Sequence, residues 1–201
     1  MELYWIRHGM TKGNAERRYV GGRTDERLAE AGKKEIERRV ALGLYPQADT
    51  VFVSPMKRCR ETAAIIYPDA VWTTVEGFRE CDFGLFENKN EEELKGLAFY
   101  EDWIHADEGA AFPGGESPAL FTERCVKALQ ELAGSGKIGD RAAFVVHGGV
   151  IMSILSTLDE KQKGFYGYYA ENGWGYRCRM TWENGKMVIR DCQPLHNLPM
   201  G

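Results

Sequence analysis

Nothing in this sequence approaches the run of about 20 apolar residues that a membrane-crossing helix requires, so no membrane partner is expected. The opening stretch, Met1-Glu2-Leu3-Tyr4-Trp5-Ile6, carries no basic leader followed by a long apolar segment, and a cytoplasmic location is expected rather than export. An excess of positive charge is missing as well. Lys and Arg number 26 against 30 Asp and Glu, for a formal charge of -4, which speaks against nucleic acid as a partner. Any site for an anion must then be a local concentration of basic groups within an acidic whole. The five cysteines are odd in number and show no CxxC spacing, as free thiols in a reducing compartment would. Four histidines without paired ligand spacing give no metal signature, and no metal or cofactor is expected. Repeats, low-complexity segments and linkers are also lacking, so residues 1–201 read as one domain.

What is present is an alternation of strands and helices. Leu3 to Ile6 reads as a short buried strand, followed by a polar loop through Asn14 and Gly21. Leu28 to Leu42 has helical spacing of apolar positions, although Arg27-Leu28-Ala29 offers no capping side chain. Thr50 to Val53 is the next strand, and Ser54-Pro55 signals a helix start, with the helix running to Ile66. Val71 to Val75 is a third strand, leading to a loop from Glu80 to Glu87. Residues 86–112 read as a small lid-like segment of short helices covering the site. Phe112-Pro113-Gly114-Gly115 breaks the chain before a helix from Ser117 to Leu132. Ala142 to Val146 is another buried strand, followed by a helix from about Val150 to Leu158. Tyr176 to Trp182 and Lys186 to Cys192 flank Glu183-Asn184-Gly185, a strong hairpin signal. The pattern predicts a three-layer α/β/α domain with a mostly parallel sheet and an antiparallel edge hairpin.

Ligands of such sheets bind beyond the carboxyl ends of the strands. His8 and His147 both fall there, each followed by glycine, and Gly148-Gly149 opens a helix whose N–H groups favour anions. Either histidine alone would be compatible with a structural role; the pair points to function. Arg7 adjoins His8, and Arg58 lies in the first turn of a helix, where positive charge opposes the helix dipole unless an anion is bound. Glu80, in a loop after a strand, could serve as acid or base, and a solvated carboxylate is the equally compatible alternative.

Taken together, these segments resemble a known family. Arg7-His8-Gly9-Met10-Thr11-Lys12-Gly13-Asn14 resembles the RHGxTxxN signature of the histidine phosphatase superfamily, which includes cofactor-dependent phosphoglycerate mutases. Ser54 to Ala63 is similar to its SPxxRxxxTA segment, Glu80 to Glu87 to its ExDFGxxE loop, Phe112 to Ser117 to its PGGES turn, and Val145 to Gly149 to its VxHGG strand end. The resemblance implies that His8 is a nucleophile forming a phosphohistidine. It implies a basic pocket of Arg7, Arg58 and His147, and Glu80 as the group that protonates the leaving oxygen. Thr11 and Asn14 would add neutral hydrogen bonds to the phosphoryl group, and Gly21 and Gly148 would also contribute to phosphate binding.

The implied activity is metal-independent hydrolysis of small phosphomonoesters. Gly21-Gly22-Arg23-Thr24-Asp25 and the Asp82-Phe83-Gly84 loop look like those of alpha-ribazole phosphatases, which makes alpha-ribazole 5'-phosphate the leading substrate. Phe99, Tyr100, Trp103, Phe112 and Trp174 could stack on its planar base, or simply pack. A mutase-type phosphotransferase is the alternative within the family, and a catalytically silent phospho-ligand-binding module the alternative outside it. Residues 90–112 hold Lys95 and His105 against Glu91, Glu92, Glu93, Glu101, Asp102, Asp107 and Glu108, which disfavours a small multiply anionic acid. No cysteine is followed by arginine at the six-residue offset of thiol phosphatases, and Asp-x-Asp and Walker-type motifs are missing. Met10 and Asn88 depart from the family pattern near the expected substrate entrance, and a homodimer is left open.

Overall fold

The computed structural model describes residues 1–107 and 109–197. In chain order its elements are β1 (Glu2–Arg7), α1 (Lys12–Ala15), α2 (Glu30–Ala41), β2 (Thr50–Val53), α3 (Lys57–Ile66), β3 (Trp72–Thr74), α4 (Glu91–Leu94) and α5 (Ala98–Ile104), then α6 (Pro118–Gly134), β4 (Arg141–Val146), α7 (Gly148–Leu158), β5 (Gly175–Glu183) and β6 (Lys186–Pro194). The strands form one sheet in the order β3-β2-β4-β1-β5-β6. The first four of that order run parallel, β5 adds antiparallel to β1, and β6 pairs antiparallel with β5 at the edge. This is the expected α/β architecture. Among the described residues no helix is long and apolar enough to cross a membrane.

Side chains two residues apart share a face of a strand, and the sheet uses both faces. Leu3 and Trp5 of β1, Phe52 of β2 and Phe144 of β4 point to one side, against Phe121, Cys125 and Leu129 of α6 and Ile151, Ile154 and Leu155 of α7. Tyr4, Ile6, Val51, Val53, Ala143 and Val145 point to the other, against Ile36 of α2 and Cys59, Ala63 and Ile66 of α3. The two-sided burial explains why β1 and β4 are continuous apolar runs rather than alternating ones. Trp5 stacks on Phe144 with ring centroids 4.3 Å apart, and Phe144 on Phe52 at 5.1 Å, a column crossing three adjacent strands. Each such pair contributes about 0.5–1.5 kcal/mol beyond its buried area. The five cysteines are all free and buried.

Several boundaries differ from the sequence reading for local reasons. The helix expected at Ser54-Pro55 starts at Lys57, with Met56 in the cap position and no side-chain cap bond. The helix expected from Leu28 starts at Glu30, where Ala29 caps without a side-chain bond. The third strand shrinks from Val71–Val75 to Trp72–Thr74 at the sheet edge, and α7 begins two residues early, at Gly148. The hairpin is as expected: Asn184 and Gly185 take φ of +50° and +74°, as the mirror-image turn demands.

The segment from Phe83 to Phe112 builds its own small core. Phe86, Leu94 and Tyr100 are buried together, with Tyr19, Phe99, Trp103 and Phe112 around them. Trp103 stacks on Phe112 at 5.0 Å, and Phe86 meets Phe99, Tyr100 and Trp103. It is tied to the loop after α1 by Arg18 and Glu93 and by backbone bonds between Tyr19 and the pair Asn88 and Lys89. Phe99, Tyr100, Trp103 and Phe112 therefore pack on one another instead of facing a ligand, and Trp174 lies under the Arg39 guanidinium, 4.3 Å away. Glu108, one of the acidic residues counted there, lies outside the described residues.

Candidate active site

β1 and β4 are register neighbours, with Arg7 opposite Val146, so the residues that follow them, His8 and His147, emerge side by side. Their ring centroids are 5.2 Å apart. His8 is 3 % exposed and His147 fully buried. Burial pushes both imidazoles well below their ordinary pKa, and the neighbouring Arg58 and Arg7 add to the effect. His8 Nδ1 sits 2.7 Å from the carbonyl of Gly9. A carbonyl only accepts, so Nδ1 carries the proton and Nε2 presents a lone pair. Gly9 is fixed in turn by its N–H, which donates to Thr62 Oγ1 at 2.9 Å.

The second histidine has neither nitrogen free. Its Nδ1 accepts from Arg58 Nε at 3.2 Å, and its Nε2 lies 2.7 Å from Ser54 Oγ. The Ser54 hydroxyl, which the sequence suggested as a helix cap, instead orients His147.

Arg58 is completely buried on the first turn of α3. Besides His147, it donates to the carbonyls of Thr24, Val20 and Gly21. Those carbonyls belong to a loop organised by Glu87, whose carboxylate accepts from Gly21 N–H, Arg23 N–H, Phe83 N–H and the Thr24 hydroxyl. A side chain at position 21 would collide with Glu87 and with the Cys81 carbonyl, which is why glycine stands there. Gly21 thus differs from the sequence reading: its N–H is taken by Glu87 and its carbonyl by Arg58, so it supports the arginine and does not face a phosphate. Thr11 differs too. It is fully buried, and its hydroxyl accepts Asn14 N–H as the cap of α1, so it positions Asn14. Asn14 is half-buried, and its Nδ2 has no hydrogen-bond partner among the described residues.

Arg7 donates from Nη1 to the Ala170 carbonyl at 2.8 Å, while its buried Nε has no partner. The guanidinium lies against the start of α7: a Cβ on Gly148 would fall 3.3 Å from Arg7 Nε, so glycine permits the approach. A cation at the positive end of a helix is unfavourable unless an anion joins it. Neither Arg7 nor Arg58 is paired with a carboxylate among the described residues. The acid at the site is Glu80, 8 % exposed. It accepts from Cys81 N–H at 3.0 Å and Gly149 N–H at 3.2 Å, yet burial wins and raises its pKa. A raised carboxyl pKa is what a proton donor near neutral pH requires.

The loop carrying Glu80 is clamped from α6, which the sequence did not reveal. Arg124 donates to the carbonyls of Gly77 and Arg79, and pairs through two bonds with Glu116, whose carboxylate takes Asp82 N–H. Tyr169 was also missed: it is 59 % exposed, and Arg7 Cζ lies 5.7 Å over its ring. Among the described residues no three His, Cys, Asp or Glu side chains cluster as a metal ion would need.

Comparison with known proteins bears on the family and the fold. Phosphoglycerate mutase-like protein 4 of Arabidopsis thaliana is 32% identical over 165 residues, covering 76% of this chain and 69% of the relative. The "Probable phosphoglycerate mutase GpmB" of Yersinia pestis is also 32% identical over 165 residues, covering 79% and 74%. Among solved structures, the alpha-ribazole phosphatase from Shigella flexneri superposes with a TM-score of 0.80 over 96% of each chain at 20% identity. A phosphoserine phosphatase mutant from Entamoeba histolytica gives 0.73 over 95% of each chain at 24% identity. At those identities the structures speak for the fold alone. The model of the histidine phosphatase superfamily (branch 1) matches residues 3–191, and the chain belongs to that superfamily.

Proposed function

We propose that the protein hydrolyses phosphomonoesters through a phosphohistidine at His8. The observation that carries this reading is the pair of guanidiniums without carboxylate partners, Arg7 and the fully buried Arg58, beside an imidazole with a free Nε2. Unpaired buried charge is costly, and a dianionic phosphoryl group offsets it. In the first step the Nε2 lone pair attacks phosphorus while the P–O bond to the leaving group breaks. Glu80 gives its proton to the departing oxygen. In the second step water attacks the phosphohistidine, returns a proton to Glu80 and releases phosphate and neutral His8. Arg7, Arg58, Asn14 and the Gly148 N–H hold the oxygens, and His147 steadies Arg58. Phosphoryl transfer asks mainly for positioning and charge stabilisation, which these groups supply.

Within this reading, alpha-ribazole 5'-phosphate is the leading substrate candidate. With the lid aromatics occupied by packing, Tyr169 is the aromatic left beside the phosphoryl pocket to meet a planar leaving group. Hydrolysis is favoured over mutase chemistry because residues 90–107 carry six acidic side chains against Lys95 and His105, a poor neighbour for a multiply anionic acid.

The test is phosphate release from p-nitrophenyl phosphate in the presence of chelator, comparing wild type with His8→Ala. Release that survives chelation and disappears in the variant is expected. Release that persists in His8→Ala would remove the nucleophile assignment. A panel of sugar, nucleotide and ribazole phosphates then tests the substrate, and equal slow turnover of all of them would sink the dedicated-enzyme reading.

A further inference from the structure

The loop preceding β5 lies outside every motif named above, yet it closes on the nucleophile. Asn172 Nδ2 is 3.1 Å from the His8 carbonyl, 3.1 Å from Asn14 Oδ1 and 3.5 Å from the Gly9 carbonyl. Three acceptor oxygens around one amide group fix its orientation, since Oδ1 in that place would be repelled. The backbone repeats the attachment: Gly173 N–H donates to the carbonyls of Arg7 and His8 at 2.9 and 3.1 Å. Gly173 has φ of +74°, and a Cβ there would fall 2.6 Å from Ile36 Cδ1. Behind the loop, the buried Arg39, paired with Glu35, donates to the Asn172 carbonyl at 3.1 Å. The Tyr45 hydroxyl donates to the Gly173 carbonyl at 2.9 Å.

We propose that Asn172 is a positioning residue for phosphoryl transfer. Asn14 Oδ1 accepts both from Asn172 Nδ2 and from Thr11 N–H, at 3.1 and 3.3 Å, so its lone pairs are engaged inward. That leaves Asn14 Nδ2, which has no partner among the described residues, to meet a phosphoryl oxygen. By holding the His8 and Gly9 carbonyls, the same side chain fixes the backbone of the nucleophile and the oxygen that accepts His8 Nδ1–H. Asn172 touches no substrate and acts through Asn14 and His8. The inference rests on the hydrolase reading for its kinetic consequence, but not for its geometric one.

The experiment combines Asn172→Ala, Asn172→Asp and Asn14→Ala with the Asn14→Ala/Asn172→Ala pair, assayed on p-nitrophenyl phosphate. Aspartate keeps the shape but turns an anion toward three oxygens. Asn172→Ala is expected to lower kcat roughly 10- to 100-fold, as small misplacements of reacting groups do, with KM changing far less. Asn172→Asp is expected to fall further. The double variant should lose less than the product of the two single losses, because both residues act in one hydrogen-bonded unit. In parallel, nitrogen NMR of labelled histidine should show wild-type His8 as the single Nδ1–H tautomer and a mixture in Asn172→Ala. That readout needs no turnover. A wild type without phosphatase activity would defeat the hydrolase reading, while the tautomer change would still decide the positioning claim. A folded Asn172→Ala with wild-type kcat and unchanged His8 signals would overturn the proposal, as would losses that multiply with Asn14→Ala. If Asn172→Ala does not fold, Asn172→Ser, which keeps one donor, takes its place with the same expectations in weaker form.

Discussion

The ends of β1 and β4 are near copies of one another in sequence and unlike each other in chemistry. Both are buried central strands, both are followed by histidine and then glycine, and both imidazoles are held below their ordinary pKa by burial and by Arg58. Their partners differ. At the end of β1 one ring nitrogen is satisfied by the Gly9 carbonyl and the other is left free. At the end of β4 both are engaged, one by Ser54 and one by Arg58. In the proposed mechanism burial and a lowered pKa therefore do not distinguish the nucleophile from the supporting residue; an unengaged nitrogen does. Glu80 reaches the Gly149 N–H of the β4 side, and in the proposed mechanism its proton serves the β1 side.

The comparison can be broken most sharply by removing each histidine in turn. His8→Ala is expected to reduce p-nitrophenyl phosphate turnover to the level of the buffer, with the fold retained by circular dichroism. His147→Asn is expected to cost about 10²–10³-fold, the scale of one lost charge-stabilising group, because the nucleophile remains. Equal losses would mean that the two strand ends share one role. In the phosphorylation step, read as the single-turnover release of the alcohol or phenol, Glu80→Gln should slow an alkyl phosphate by about 10²–10⁴-fold and an aryl phosphate much less, since a good leaving group needs little protonation. Equal slowing of both would leave Glu80 without its role as leaving-group acid.

Smaller effects sharpen the picture. Ser54→Ala frees His147 Nε2 without touching His8, and about a tenfold fall in kcat is expected from the loss of one buried orienting hydrogen bond. No change would show that Arg58 alone holds the ring. The smallest effect is on stability. Both histidines have lowered pKa values in the folded state, so their stability contribution is present above the unfolded value of about 6.5. It is lost as pH falls below that value, because the unfolded chain takes up the protons first. In phosphate-free buffer the melting temperature should drop between pH 7.5 and 5.5, offset in part by the raised Glu80 carboxyl, which works in the opposite sense, and His147→Asn should lessen the drop. A melting temperature that rises on acidification would contradict the neutral buried pair.

The layered fold was legible because periodicity is a local signal: the apolar runs of β1, β2 and β4 and the Asn184-Gly185 turn each announce themselves within a few residues. The gathering of His8, Arg7, Arg58 and His147 was legible for a related reason, since they stand at strand ends and a helix start, whereas the place of Glu80 came from the family resemblance. What was not legible depends on contacts between distant segments. Asn172 meets His8 across 164 residues of chain, and no spacing within its own loop marks it. Ser54 read as a helix cap because serine before proline so often is one, but its short contact is with His147, 93 residues on, and of the cap only a long 3.5 Å bond from Met56 N–H remains. The aromatics between Phe99 and Phe112 were ambiguous between stacking on a ligand and packing together, and only the cluster around Phe86 resolves them.

The central claim is that the free nitrogen of His8, and not its neighbour His147, carries the phosphoryl group. Its most direct test is to mix Glu80→Gln with p-nitrophenyl phosphate, quench in alkali during turnover, and locate the phosphorylated residue by peptide mass spectrometry. The account predicts one phosphoryl group, on the peptide containing His8. A phosphoryl group on His147 or any other residue, or product release with no trapped adduct at all, would contradict it.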